Sequence, residues 1–232
     1  MAVRINYLLS YPRSGNTWLR YCVEYLTSKH TEGYPNDDHK FEEGIFPKFI
    51  PKISKADDKG TYWQGAKLYL NEKDLPILVK RHETECIKRN EKARIIFLIR
   101  DYRECIISQT SLTSGLEPHI EEYLQLLRYY DEFSGDKIHI YYEDLVTNIE
   151  TQVRFVLDFL EEVVNDDVMS EFLDTIDDHH KTCRSIYGDS KSDGKSVQTH
   201  QKQLDRSELL RYKEYVVNGF PSIAKTYLSR YL

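Results

Sequence analysis

The chain has 232 residues, 40% of them hydrophobic and 30% charged, with a formal net charge of −6. That is the composition of an ordinary globular protein, with enough chain for one domain over residues 1–232 and a core that needs no staples. The acidic balance argues against nucleic-acid partners, because tracking phosphates needs a basic excess. No apolar run reaches the length that spans a bilayer, so no membrane partner is expected either.

The first β-rich run is Asn6–Ser10, and it gives way to the polar loop Tyr11-Pro12-Arg13-Ser14-Gly15-Asn16-Thr17. A helix is expected over Trp18–Thr27, with Trp18, Leu19, Cys22, Val23 and Leu26 on one face. Residues 31–66 hold three of the seven prolines and little periodicity, and read as a long loop region. Further short strands are expected at Ile77–Lys80, Arg94–Ile99 and Lys137–Tyr142. The run Ile95-Ile96-Phe97-Leu98-Ile99 is apolar throughout, as suits a central strand covered on both faces. Helical spacing recurs over Pro118–Phe133, Glu150–Leu160 and Arg206–Val217, the last with Asp205 as N-cap. Residues 179–203 are polar and read as a second long loop. Strands alternating with helices predict an α/β fold with a parallel sheet flanked by helices.

The four cysteines, Cys22, Cys86, Cys105 and Cys183, form no CxxC pair, and the N-terminus has no signal-peptide pattern. Reduced thiols in a cytoplasmic protein are expected, most of them buried as small hydrophobes. The pair His179-His180 has no third ligand at metal spacing and reads as a surface pair.

The loop after the first strand is the most informative stretch. Ligands of open parallel sheets bind at the carboxyl ends of strands, and a loop leading into a helix there presents free amides and a positive dipole end. Gly15 lets the backbone approach an anion. Ser14, Asn16 and Thr17 offer side-chain donors, and Arg13 adds a fixed charge and a planar donor fork. The Gly-Lys pair of the nucleotide P-loop is missing.

Tyr11-Pro12-Arg13-Ser14-Gly15-Asn16-Thr17-Trp18 resembles the 5′-phosphosulfate loop of sulfotransferases, YPKSGTTW, enzymes that use 3′-phosphoadenosine 5′-phosphosulfate (PAPS). It departs at Arg13, where Lys is usual, and at Asn16, where Thr is frequent. Arg stabilises charge but is a poor proton donor, so Arg13 reads as an electrostatic clamp.

Three other stretches extend the resemblance. The apolar strand ending in Arg100, with Ser108 eight positions on, keeps the spacing of the family's 3′-phosphate contacts. Asp101 with Glu104 makes a capping-box-like helix start. Leu78-Val79-Lys80-Arg81-His82 is similar to the strand that ends Lys-Thr-His, which makes His82 the base and Lys80 a cation for the transferring group. Ile138-His139-Ile140-Tyr141-Tyr142-Glu143-Asp144-Leu145 is similar to the late strand ending Tyr-Glu-Asp-Leu, which brings Tyr142 near the adenine, with Trp18 stacked on it. The family's late Gly-rich basic segment is matched only loosely by residues 184–195. There Arg184, Lys191 and Lys195 are the candidates for closing over the 3′-phosphate.

The resemblance implies a sulfotransferase fold. The implied reaction moves a sulfuryl group from PAPS to a hydroxyl, or an amine, of a small-molecule or saccharide acceptor, leaving 3′-phosphoadenosine 5′-phosphate (PAP), without a metal. Tyr34, Tyr62, Trp63 and Tyr69 fall where acceptors bind, as wall or as packing. The acidic residues Asp37, Asp38, Glu42, Glu43, Asp57 and Asp58 read as a solvated face, or as a preference for a cationic acceptor. Two rivals share parts of this reading. A P-loop-type kinase would share the sheet and the anion loop but lacks the Arg100/Ser108 signature. A non-catalytic PAPS-binding protein would share the site without turnover.

Overall fold

The computed structural model describes residues 4–29, 31–32, 76–187 and 204–232, with side chains omitted for 184–187. In chain order the elements are β1 (Ile5–Leu9), α1 (Asn16–Thr27), β2 (Thr31–Glu32), β3 (Leu78–Arg81) and the single turn α2 (Glu85–Lys88). Then come β4 (Ala93–Ile99), α3 (Tyr102–Thr110), α4 (Glu117–Glu132), β5 (Lys137–Tyr141), α5 (Tyr142–Thr147) and α6 (Ile149–Phe159). The chain closes with α7 (Asp166–Asp174), α8 (Ile176–Tyr187), α9 (Arg206–Gly219), α10 (Pro221–Tyr227) and a 3₁₀ turn over Ser229–Tyr231.

The five strands form one parallel sheet in the order β2-β3-β1-β4-β5. β1 sits at its centre, pairing with β3 through Leu9↔Arg81 and with β4 through Leu9↔Phe97. Side chains alternate across each strand. Tyr7, Leu9, Ile95, Phe97 and Ile99 face a core with α3, α4, α9 and α10. Leu8, Leu78, Ile96 and Leu98 face a second core with α1, α6, α7 and α8. β4 is buried over its whole length, which explains the unbroken apolar run Ile95–Ile99 within it.

Two expectations need correction. Residues 179–187 continue the helix α8 rather than opening a loop. Its apolar and aromatic face packs on α1, where a histidine pair and Cys183 do the work usually done by aliphatic residues. Thr31–Glu32, at the start of the first presumed loop region, forms the edge strand β2. A buried network fixes it: Arg20 Nε donates to Thr31 Oγ1 at 2.8 Å, and Glu24 Oε1 accepts from the Thr31 amide at 3.0 Å. All four cysteines are free; Cys22, Cys105 and Cys183 are buried and Cys86 is half-buried. No described helix is long and apolar enough to cross a membrane.

Candidate anion-binding site at the carboxyl edge of the sheet

The parallel sheet delivers the ends of β1, β3, β4 and β5 to one edge. The chain runs from β1 out to β2 and β3 and returns on the other side through β4, so the order reverses beside β1. That is where open α/β sheets bind ligands. Loop 10–15 leaves β1 at this point and turns into α1. Gly15 caps α1 with φ +100°, a conformation that only glycine adopts cheaply. A Cβ built on Gly15 would lie 2.3 Å from Cδ2 of Tyr142, so the ring also demands a glycine here. Arg13 sits in the left-handed region as well, at φ 67°, and its side chain is exposed. Among the described residues, the amides of Ser14 to Thr17 have no hydrogen-bond acceptor. Four amides at a helix N-terminus beside an arginine are the arrangement of a candidate anion site.

Of the loop's side-chain donors only that of Ser14 is engaged elsewhere among the described residues, which corrects its reading as an anion donor. Ser14, fully buried, donates its hydroxyl to Tyr11 O at 2.8 Å and touches Cys105 Sγ at 3.4 Å. Asn16 Oδ1 accepts from Ser10 Oγ at 2.8 Å. Thr17 is half-buried, and its hydroxyl has no partner among the described residues. Burial pushes the Cys105 thiol up to about 12, against the lowering influence of Arg100, so this sulfur is a packing atom under the loop.

Arg100 follows β4 and is buried, its side chain 4% exposed. Its guanidinium donates to Arg13 O at 2.8 Å, lies 4.5 Å above the Tyr142 ring and stands 3.9 Å from the buried Glu104 carboxylate. Its Nε has no partner among the described residues. The arginine therefore both braces the loop and keeps one donor unused, which fits an anion site. Ser108 lies half-buried on the second turn of α3. The expected reciprocal capping box is only half formed: Asp101 caps the Arg103 amide at 3.0 Å, whereas Glu104 turns to Arg100. The stronger neighbouring cation takes the carboxylate.

His82 follows β3. The register that sets Leu9 against Arg81 continues with the Ser10 amide on Arg81 O at 3.3 Å. His82 Nδ1 then meets Ser10 O at 2.7 Å. A carbonyl oxygen only accepts, so Nδ1 carries the proton and the ring's lone pair lies on Nε2, the arrangement of a general base. Lys80, buried on β3, shares its strand face with Leu78. Arg81 points the other way into a buried ion pair with Glu32 at 2.8 Å.

Tyr142, the first residue of α5, is buried between Gly15 and Arg100. One face of Trp18 is covered by His180, with ring centroids 3.8 Å apart and planes 19° from parallel. His180 thus occupies a stacking face of the indole. His179 is buried, not a surface residue: its Nδ1 shares a hydrogen bond with the Tyr21 hydroxyl at 2.7 Å and its Nε2 meets Thr175 Oγ1 at 3.2 Å. Burial lowers its pKa below the usual 6.5. Helical spacing on α1 and α8 holds the signal for this cluster, but a histidine pair carries no apolar signature. Arg184 lies on α8, its side chain outside the described set; Lys191 and Lys195, like Tyr34, Tyr62, Trp63, Tyr69 and the acidic residues 37–58, lie outside the described residues. Among the described residues no cluster of His, Cys, Asp and Glu has a metal-binding arrangement.

The sheet order, the glycine-capped loop and the strand-end His and Arg define a sulfotransferase fold, and solved structures agree. Mouse sulfotransferase SULT7A1, complexed with PAP, matches with a TM-score of 0.60 at 13% identity, covering 94% of this chain and 85% of that one. The sulfotransferase domain from the curacin biosynthetic pathway matches with a TM-score of 0.53 at 16% identity, covering 72% and 77%. By sequence, the chain is 27% identical to WSCD family members of Aedes aegypti and Drosophila melanogaster over 70% of its length. It spans about half the length of these relatives, 52% in each case. No family model matches.

Proposed function

We propose that the chain is a sulfotransferase that moves a sulfuryl group from PAPS to a hydroxyl, or an amine, of a small-molecule or saccharide acceptor. The observation that carries this reading is the His82 Nδ1–Ser10 O hydrogen bond of 2.7 Å, which ties a base with its lone pair on Nε2 to the root of an anion loop. PAPS, when bound, supplies an activated sulfuryl group on a phosphate leaving group. The chain's residues do the rest. Backbone amides of Ser14–Thr17 hold the 5′-phosphate end. Arg13 and Lys80 neutralise charge that builds on the transferring and leaving groups, the term that dominates catalysis of this kind. His82 removes the acceptor's proton. Arg100, with its unused Nε, and Ser108 select the 3′-phosphate. Tyr142 and Trp18 lie on the adenine side, with His180 against the indole. Arg184, Lys191 and Lys195 are carried as candidates for the same phosphate.

The test is calorimetric titration with PAP and with ADP, without magnesium, on wild type and on Arg100→Lys. Selective binding of PAP that weakens in the variant is the expected result, since Lys cannot reproduce the planar fork. Equal affinity for PAP and ADP, or no binding, overturns the reading and favours the kinase alternative. His82→Ala separates enzyme from binding protein: PAP affinity is kept while transfer from PAPS is lost.

A further inference from the structure

The base and the anion loop are joined by more than proximity. Ser10 is fully buried and stands at the junction of β1 and the loop. Its amide donates to Arg81 O at 3.3 Å, so it extends the β1–β3 ladder by one residue. Its carbonyl receives His82 Nδ1 at 2.7 Å, where a further strand amide would otherwise bond. Its hydroxyl is directed at Asn16 Oδ1 at 2.8 Å, with a longer contact to Tyr11 O at 3.1 Å. Asn16 is itself 5% exposed and is the first residue of α1, and its backbone amide is one of the four that line the anion site. Two hydrogen bonds therefore link Asn16, whose amide has no acceptor among the described residues, through Ser10 to the imidazole.

We propose that Asn16 and Ser10 are positioning residues for His82: their side-chain hydrogen bond fixes the Ser10 peptide plane and so holds the imidazole in its Nδ1–H form, aligned with the loop that takes the anion. The inference rests on the sulfotransferase reading of the site for its catalytic meaning. The physical reason is directional. A peptide plane at the end of a strand has only one ladder neighbour left, and a carbonyl binds an N–H well only near its own plane. Pinning the hydroxyl of the same residue to the helix start removes the remaining rotation. A second ring nitrogen's role is set by the bond the first one makes. The same bond gives the loop a way to report anion binding to the base, because an anion on the Asn16 amide pulls on the residue that anchors Ser10. This also gives a local reason for asparagine at position 16: its amide accepts from Ser10 and keeps two N–H donors in reserve.

The test reads the tautomer directly and needs no acceptor. Long-range proton–nitrogen NMR on isotope-labelled protein separates the two ring nitrogens of each of the eight histidines, and the spectrum of His82→Gln assigns His82. At alkaline pH, where the ring is neutral, wild type is expected to show the Nδ1–H form. Ser10→Ala and Asn16→Ala are expected to move the tautomer ratio toward Nε2–H by roughly tenfold, the worth of one hydrogen bond. Asn16→Asp keeps the oxygen acceptor and is expected to keep the wild-type ratio, which a general loss of packing would not do. An unchanged His82 ratio in folded Ser10→Ala and Asn16→Ala overturns the proposal, as does the same shift in Asn16→Asp. Addition of PAP separates this from the function itself: failure of PAP to bind overturns the sulfotransferase reading, while the tautomer in the free protein still decides the positioning role.

Discussion

Substituting Gly15 by alanine should damage the loop in two separable ways. The first is backbone strain: at φ +100° an L-residue costs about 1–2 kcal/mol. The second is collision: the new methyl carbon would lie 2.3 Å from Tyr142 Cδ2 and 2.5 Å from Cε2. The ring cannot retreat freely, because it is 5% exposed and carries the Arg100 guanidinium 4.5 Å from its centroid. Overpacking of this kind costs about 1–3 kcal/mol. The sum is about 3 kcal/mol, which for a chain of this size lowers the melting temperature by roughly 6–12 °C. Urea unfolding of wild type, Gly15→Ala, Tyr142→Ala and the double variant separates the two contributions. In the Tyr142→Ala background only the strain remains, so Gly15→Ala should cost about 1–2 kcal/mol there. An equal cost in both backgrounds would refute the argument from close approach. A cost below about 0.5 kcal/mol in the native background would refute the loop geometry altogether.

The Arg81–Glu32 pair at 2.8 Å ties β2 to β3 with both side chains about one-tenth exposed. Burial works against the Arg81 charge, but the Glu32 carboxylate outweighs it and holds the pKa above the ordinary value. Glu32→Gln removes the nearer counter-charge of that guanidinium, leaving Glu83 at 3.8 Å, and should cost up to about 3 kcal/mol in urea unfolding; Glu32→Gln combined with Arg81→Met should recover much of the loss, and no recovery would mean the pair is not the cause. Stability should also fall with acidification below about pH 6.5, because burial lowers the pKa of both His139 and His179. Their neutral forms stabilise the fold fully above the unfolded-state pKa, and the contribution is lost as pH falls toward the folded value, with a slope of up to about 1.4 kcal/mol per pH unit for each group. Thermal unfolding across this range should show a shallower acid limb for His179→Gln, and an unchanged limb would remove His179 from the account.

The sheet was readable because its strands are short, apolar and bounded by polar turns. Ile95–Ile99 reads as a central strand, and β4 is buried from end to end. The buried face of α4, Ile120, Tyr123, Leu124, Leu127 and Tyr130, is the set that helical spacing picks out. Asp205 caps α9 by accepting from the Glu208 amide at 2.8 Å. Failures came where polar residues carry the packing. The second half of α8 reads as loop because His179, His180, Lys181 and Thr182 look solvated, yet His179 packs tilted or edge-on among Tyr21, Tyr25 and Phe172. No periodicity scale credits a histidine whose two nitrogens are satisfied by Tyr21 and Thr175. At the site, the loop composition and the family resemblance singled out Arg13 in the loop and His82 and Arg100 at strand ends. Neither could say that Ser14 and Asn16 would bond to their own loop, since that depends on Ser10 and Tyr11 carbonyl and hydroxyl directions.

Those internal bonds explain how so polar a loop holds one shape. Arg13 is a non-glycine residue at φ 67°, a conformation worth about 1–2 kcal/mol of strain. Its carbonyl is also the one that Arg100 grips at 2.8 Å, and a hydrogen bond to a charged donor contributes about 1.5–3 kcal/mol. The two are of the same size, so Arg100 offsets the strain it sits beside. Ser14 ties the loop inward to Tyr11 O, and Asn16 ties it back to Ser10. With Ser14 and Asn16 tied inward this way, the amides from Ser14 to Thr17 are backbone donors without an acceptor among the described residues. An anion that binds them meets a surface already fixed, which is the condition under which backbone donors stabilise developing charge without reorganising. Arg100 then has two roles that pull against each other in a mutant. A variant that weakens anion binding through Arg100 also loosens the Arg13 turn, so the loss of PAP affinity in Arg100→Lys should exceed that in Arg13→Lys, which leaves the carbonyl grip in place.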